Sequence, residues 1–132
     1  MGQSLILETT FLIDLEREHA RGHPGPAVEF LEARPDTRLY LPFVVAGELA
    51  AGVSLADRAR WEAFLAPFYL LAATPDVCWH YGQVFRHLQR QGRMIGANDL
   101  WIAAAGLAHG IPVVTRNIDH LQRVPGLDVE SY

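Results

Sequence analysis

The chain is expected to fold as an α/β domain with a short, mostly parallel central sheet flanked by helices, and three observations predict this. Its strand candidates are brief apolar runs without polar alternation, among them Leu5-Ile6-Leu7, Leu39-Tyr40-Leu41 and Val113-Val114, as strands buried on both faces require. Longer helical segments separate them, so strand and helix alternate along the chain. At 132 residues, 50% of them apolar, the sequence can bury one compact core and is too short for two ordinary domains, so a single domain spans 1–132.

Residues 4–7 form the first strand and 10–19 the first helix, which offers Phe11, Leu12 and Leu15 to the core. Arg21-Gly22-His23-Pro24-Gly25-Pro26 is a loop, since its glycines and prolines interrupt helix and strand alike. A second helix covers 27–33, with Val28, Phe30 and Leu31 as its apolar positions, and 39–41 is the second strand, closed by Pro42. Length and content make 44–51 and 57–65 helical, and 69–72 the third strand. A long helix runs over 76–91 and ends at Gly92, a residue suited to the left-handed turn that closes helices. The next helix, 98–109, is closed in the same way by Gly110, and 112–115 and 127–130 are the last strands.

Composition excludes several classes. With 15 acidic residues against 11 basic ones and a net charge of −4, the molecule carries no general polycation signature, so any nucleic-acid contact has to be local. Cys78 is the only cysteine, which rules out an intrachain disulfide and a cysteine-rich zinc site. Met1-Gly2-Gln3-Ser4 has no basic leader or cleavage signal, and the apolar runs fall short of the roughly 18 residues of a membrane span. The expected setting is the cytoplasm, with no membrane contact.

Three acids stand on otherwise apolar elements: Glu8 after Leu5-Ile6-Leu7, Glu48 within Val44-Val45-Ala46-Gly47-Glu48-Leu49, and Asp99 at the mouth of Asn98-Asp99-Leu100-Trp101-Ile102. Each has an ordinary reading. Asp99 suits a helix's first turn as a cap, Glu48 can occupy one solvated helix face, and Glu8 can be the polar residue that ends a strand. Together they point elsewhere, because buried carboxylates are tolerated chiefly when paired or metal-bound and the chain has no lysine. Ligands of open α/β sheets bind beyond the carboxyl ends of the strands, where Glu8, Glu48 and Asp99, with Asn117 and Asp119 after Thr115, all fall.

In this order and spacing the acids resemble those of the PIN domain, and within it the VapC toxins of bacterial toxin–antitoxin pairs. Leu5-Ile6-Leu7-Glu8-Thr9-Thr10-Phe11-Leu12-Ile13-Asp14-Leu15 is similar to that family's opening, residues 44–49 to its glutamate helix, and residues 96–104 to its third-acid segment. Val113-Val114-Thr115-Arg116-Asn117, continued through Arg123-Val124-Pro125-Gly126-Leu127, resembles its close. The resemblance implies an α/β/α sandwich, a homodimer, and a Mg²⁺-dependent endoribonuclease held inactive by a VapB-type antitoxin. It assigns Glu8, Glu48 and Asp99 to catalysis and metal binding, with Asn117 at a fourth position often filled by aspartate. The first position is ordinarily aspartate too, so Glu8 carries one methylene more than the pattern.

An oxygen-only site suits Mg²⁺ or Mn²⁺ rather than zinc, and such a metal would activate water for phosphodiester hydrolysis. Thr10, Thr115 and Asp119 are candidates to support the ligands by hydrogen bonds, and Arg116 is the arginine favoured for a phosphate of the RNA. Arg86, Arg90 and Arg93, around His87, form either a basic strip or a solvated helix face, and the six histidines show no metal spacing. Trp79 and Trp101 are expected in packing rather than base stacking. Two alternatives remain at this point: a catalytically weakened PIN-like module that binds antitoxin or RNA without efficient cleavage, and a receiver-like or phosphatase-like domain using acids and Mg²⁺.

Overall fold

A computed structural model describes residues 2–132. Five strands, β1 (Ser4–Leu7), β2 (Arg38–Pro42), β3 (Tyr69–Leu71), β4 (Val113–Val114) and β5 (Val129–Glu130), form one sheet in the order β3-β2-β1-β4-β5. Every neighbouring pair is parallel, with Ile6 opposite Tyr40 on one side and Val113 on the other. Seven helices flank it in an α/β/α sandwich: α1 (Thr9–Arg21), α2 (Pro26–Glu32), α3 (Phe43–Ala51), α4 (Arg58–Leu65), α5 (Pro75–Gln91), α6 (Ala97–His109) and α7 (Ile118–Leu121).

Burial explains the strands: Leu5, Ile6, Leu7, Leu41, Val113 and Val114 are all buried, and together with Phe11, Leu12, Val45 and Ile102 they form the core. The long helices end as their glycines require, with Gly22, Gly92 and Gly110 all at positive φ. Two elements lie outside the sequence expectation, α7 and a single 3₁₀ turn over Val53–Leu55; each is too short to show a helical apolar repeat. β4 is shorter than expected because Pro112 has no N–H to give to the ladder, although its carbonyl still accepts from Ile6 N at 2.9 Å.

Topology positions the site. The chain steps outward from β1 through β2 to β3, then returns to the other side of β1 for β4, so the connections diverge between β1 and β4. The carboxyl ends of two such strands open a crevice. A receiver-like domain returns past its first strand one strand earlier, in the order 2-1-3-4-5, so this sheet order removes the receiver-like alternative. Among the described residues, no helix is long and apolar enough to cross a membrane.

Candidate active site

Glu8 follows β1 and serves as N-cap of α1. Its Oε2 accepts from Thr10 N at 2.9 Å, from the Thr10 hydroxyl, and from Thr115 Oγ1 across the crevice at 3.1 Å. Thr115 is in turn fixed by Asn117 N, which donates to the same hydroxyl oxygen at 3.0 Å. Glu8 is 7% exposed, and burial pushes the pKa of its carboxyl above the usual glutamate value of 4.5, an effect the Thr10 and Thr115 hydrogen bonds only partly reverse and nearby Asp99 reinforces. The reading of Glu8 as the polar residue that ends β1 is therefore incomplete, since that role needs neither a buried position nor a second carboxylate beside it.

Glu48, on α3, is half-buried and accepts from Thr9 Oγ1 at 2.6 Å. Its neighbours Val45, Ala46 and Leu49 are buried, so the freely solvated reading does not describe it. Consecutive threonines at the start of α1 thus hold one acid each, Thr9 taking Glu48 and Thr10 taking Glu8. The pairing of Thr9 with Glu48, 39 positions apart, left no signal in the sequence.

Asp99 is the third residue of α6, yet it does not cap it: Gly96 is the N-cap and no side chain closes that end. Its carboxylate Oδ2 instead lies 3.4 Å from His120 Nδ1, which is also 3.3 Å from the Asn117 amide. A carboxylate only accepts and an amide nitrogen only donates, so Nδ1 satisfies one of these neighbours in any one tautomer. His120 shows no metal spacing in the sequence; only the turn of α7 brings it to Asp99. Asp119, on the same short helix, is exposed and hydrogen-bonds none of these groups. Arg116 Nη1 contacts both oxygens of Asp14, at 3.2 and 3.1 Å.

Glu48 and Asp99 line a common groove of about 410 Å³ with Gly96, Ala97 and Asn98. On its other side Glu48 borders a second groove, of about 210 Å³, shared with Ile13, Glu16 and Arg17. Among the described residues, no three His, Cys, Asp or Glu side chains close into a metal cage, so the acids share a rim without yet meeting at a point. The donor set nevertheless fits a hard divalent cation. It is all oxygen, and a buried carboxylate raised by burial and by another carboxylate is in the condition a cation would relieve. Trp101 packs between Phe43, at 5.5 Å, and Tyr81, at 4.1 Å, which accords with the packing role expected for it; Trp79 is instead exposed.

A family model described as PIN domain matches residues 5–127. The chain is similar to ribonuclease VapC1 of Haemophilus influenzae, at 30% identity over 103 residues covering 74% of this chain and 77% of that protein. It is also similar to ribonuclease VapC2 of Rickettsia felis, at 30% identity over 117 residues covering 83% and 87%. Among solved structures, VapBC2 from Rickettsia felis, bound to a DNA fragment from its promoter, matches with a TM-score of 0.83 and 25% identity, over 98% of this chain and 99% of that one.

Proposed function

The chain belongs to the PIN domain family, and from that premise we propose that it is a metal-dependent endoribonuclease, the toxin of a VapBC-type pair. The observation that carries this reading is that Glu48 and Asp99 line one groove while Glu8, buried just beyond β1, has its pKa pushed upward by burial and by Asp99. The likeness to two ribonucleases named VapC supports the substrate class, and the VapBC2 match supports an antitoxin partner.

Glu8, Glu48 and Asp99 would hold the cation, Mg²⁺ or Mn²⁺, with Asn117 as an adjunct. When bound, the cation neutralises charge on the phosphodiester and lowers the pKa of water. The rest is done by the chain itself. Thr9 and Thr10 fix the directions of Glu48 and Glu8, and Thr115 ties the β4 end to the β1 end so that the crevice keeps its width. Each hydroxyl engages one carboxylate oxygen, Oε2 of Glu8 and Oε1 of Glu48, which leaves the other oxygen of each to a cation. His120 steadies Asp99. Arg116 stands at the mouth for a phosphate of the RNA.

The test is cleavage of a structured RNA by the purified chain, freed of antitoxin. Cleavage in Mg²⁺, its loss in EDTA and its loss in Asp99→Asn are expected; intact RNA at saturating Mg²⁺ and Mn²⁺ would refute the reading. One observation favours a second reading, a module that binds without efficient cleavage: the acids do not form a closed cage and Glu8 carries an additional methylene. Metal uptake without turnover would select it. Exposed Tyr69 and Leu70 on the sheet-edge strand β3 support the homodimer, which sedimentation at micromolar concentration checks.

A further inference from the structure

Asp14 plays no part in the acid site, although it lies one and a half turns along α1 from it. It is held by partners from two distant segments. Arg116 Nη1 lies 3.2 Å from Oδ1 and 3.1 Å from Oδ2, and Tyr132 donates its hydroxyl to Oδ2 at 2.5 Å. The Tyr132 ring is fixed in its turn, packed edge-on against Phe11 at 4.6 Å and Phe30 at 6.4 Å. The Asp14 side chain is only 17% exposed, while that of Arg116 is 59% exposed.

An exposed ion pair is worth little and rarely fixes a long side chain. This one differs, because its carboxylate is partly buried and braced by a phenol anchored in the core. Only Nη1 of Arg116 is used, so among the described residues Nη2 and Nε have no protein partner. The backbone of Arg116 sits between Thr115 and Asn117, with its N–H 3.5 Å from Thr10 Oγ1, the hydroxyl that holds Glu8. A guanidinium with two unused donors is therefore held on Asp14 by a residue whose backbone adjoins the acid site, as a positive charge available to a polyanion approaching those acids. Arginine donors in a fixed plane match phosphate oxygens.

We propose that Asp14 and Tyr132 form a clamp that holds Arg116 at the rim of the site as a contact for a substrate phosphate, Asp14 and Tyr132 being positioning residues. This rests on the nuclease reading of the acid site, and the test separates the two. Binding of a short, labelled, mixed-sequence single-stranded RNA is followed by fluorescence anisotropy in Ca²⁺, and cleavage by kcat and KM in Mg²⁺. Asp14→Asn decides by sign. It removes a negative charge next to a polyanion, so charge alone predicts tighter binding, whereas loss of the clamp predicts weaker binding, by roughly five- to tenfold.

Tyr132→Phe keeps the ring on Phe11 and removes only the hydroxyl, so it should weaken binding in the same direction without unfolding the chain. Arg116→Ala should weaken binding and reduce the slope of log K against log salt by about 1. In the Arg116→Ala background, Asp14→Asn should no longer weaken binding, since it acts through the arginine. KM should carry the cleavage effect, with kcat within about twofold. Tighter or unchanged binding in Asp14→Asn, or a fall in kcat with KM unmoved, would overturn the clamp. If the binding pattern appears while the wild-type chain cleaves nothing, the nuclease reading fails and the clamp stands.

Discussion

Two buried glutamates, one capping helix α1 and one near its end, are held in opposite ways, and the contrast separates a residue that keeps this fold from one the fold leaves unsatisfied. Glu18, near the end of α1 and 3% exposed, accepts from Gly25 N at 2.8 Å, Val28 N at 2.9 Å and Ala27 N at 3.0 Å. It is the missing cap of α2, whose own N-cap, Gly25, offers no side chain. Burial alone would raise its pKa, yet those three amides, with Arg21, bring it below the usual value. Glu8, 7% exposed at the start of α1, has one backbone amide, two hydroxyls and an acidic neighbour, and its pKa goes up. Glu18 is a carboxylate whose charge the fold satisfies; Glu8 is one whose charge the fold leaves costly, a condition that clusters at functional sites.

The largest effect should follow from Glu18→Ala. It leaves three amides at the head of α2 without their acceptor, a loss of about 3 kcal/mol in urea unfolding, from a lost cap and buried unpaired donors. Gly25→Ala should act through the same contact, since a Cβ there would lie 2.7 Å from Glu18 Cδ. A loss of stability no larger than that of an exposed glutamate would refute the structural assignment.

Glu8→Gln should do the reverse. Cleavage should fall by at least about 10²-fold, the scale of a misplaced reacting group. Metal-free Tm should rise, because the substitution removes a buried charge and its repulsion with Asp99 while the amide oxygen can still accept from Thr10. A lower Tm would mean that the hydrogen bonds to Glu8 outweigh its burial. Glu18→Ala, by contrast, should leave kcat of the folded fraction almost unchanged.

Acid titration of stability sharpens the same contrast. For Glu18 the folded pKa lies below 4.5, so its stabilising contribution is fully present above 4.5 and is lost as pH falls through the folded value. For Glu8 the folded pKa lies above 4.5, so its cost is fully present above that folded value and disappears as pH falls toward 4.5. In EDTA, the stability gap between wild type and Glu18→Ala should close below 4.5, while that between wild type and Glu8→Gln should close on approaching 4.5 from above. Parallel curves would show that neither carboxyl is perturbed.

The contrast also marks what the sequence could disclose. The short strands, the glycine stops at Gly92 and Gly110 and the order of the three acids are local, one-dimensional signals, and the parallel sheet and the candidate acids were legible from them. Glu18 was not, because its partners, Gly25 and the first residues of α2, lie across a glycine–proline loop whose path only the tertiary fold defines. Pairings such as Thr9 with Glu48, His120 with Asp99 and Tyr132 with Asp14 depend on which strand ends become neighbours, which the order of strands in the sheet decides. Asp99 does lie in the first turn of α6, where its charge suits the helix dipole, but it caps no amide there, and its carboxylate turns to His120 instead.

The smallest expected effect concerns the methylene by which Glu8 departs from the family pattern. Glu8→Asp draws the carboxylate back by about one bond length, which keeps the helix cap, a position aspartate favours, and stretches the contact to Thr115 Oγ1, now 3.1 Å. Stability should change by no more than about 1 kcal/mol, the worth of one hydrogen bond. Mg²⁺ demands near-ideal octahedral geometry, so if the additional methylene misplaces the ligand, Glu8→Asp should raise the rate of RNA cleavage, by up to roughly tenfold, and should narrow any preference for Mn²⁺ over Mg²⁺. The opposing possibility has a structural basis, because three donors already converge on Oε2 where the glutamate places it. Equal or lower activity in Glu8→Asp, at saturating Mg²⁺ and without antitoxin, would show that Thr10 and Thr115 are built around glutamate and that the longer acid is the working ligand of this site.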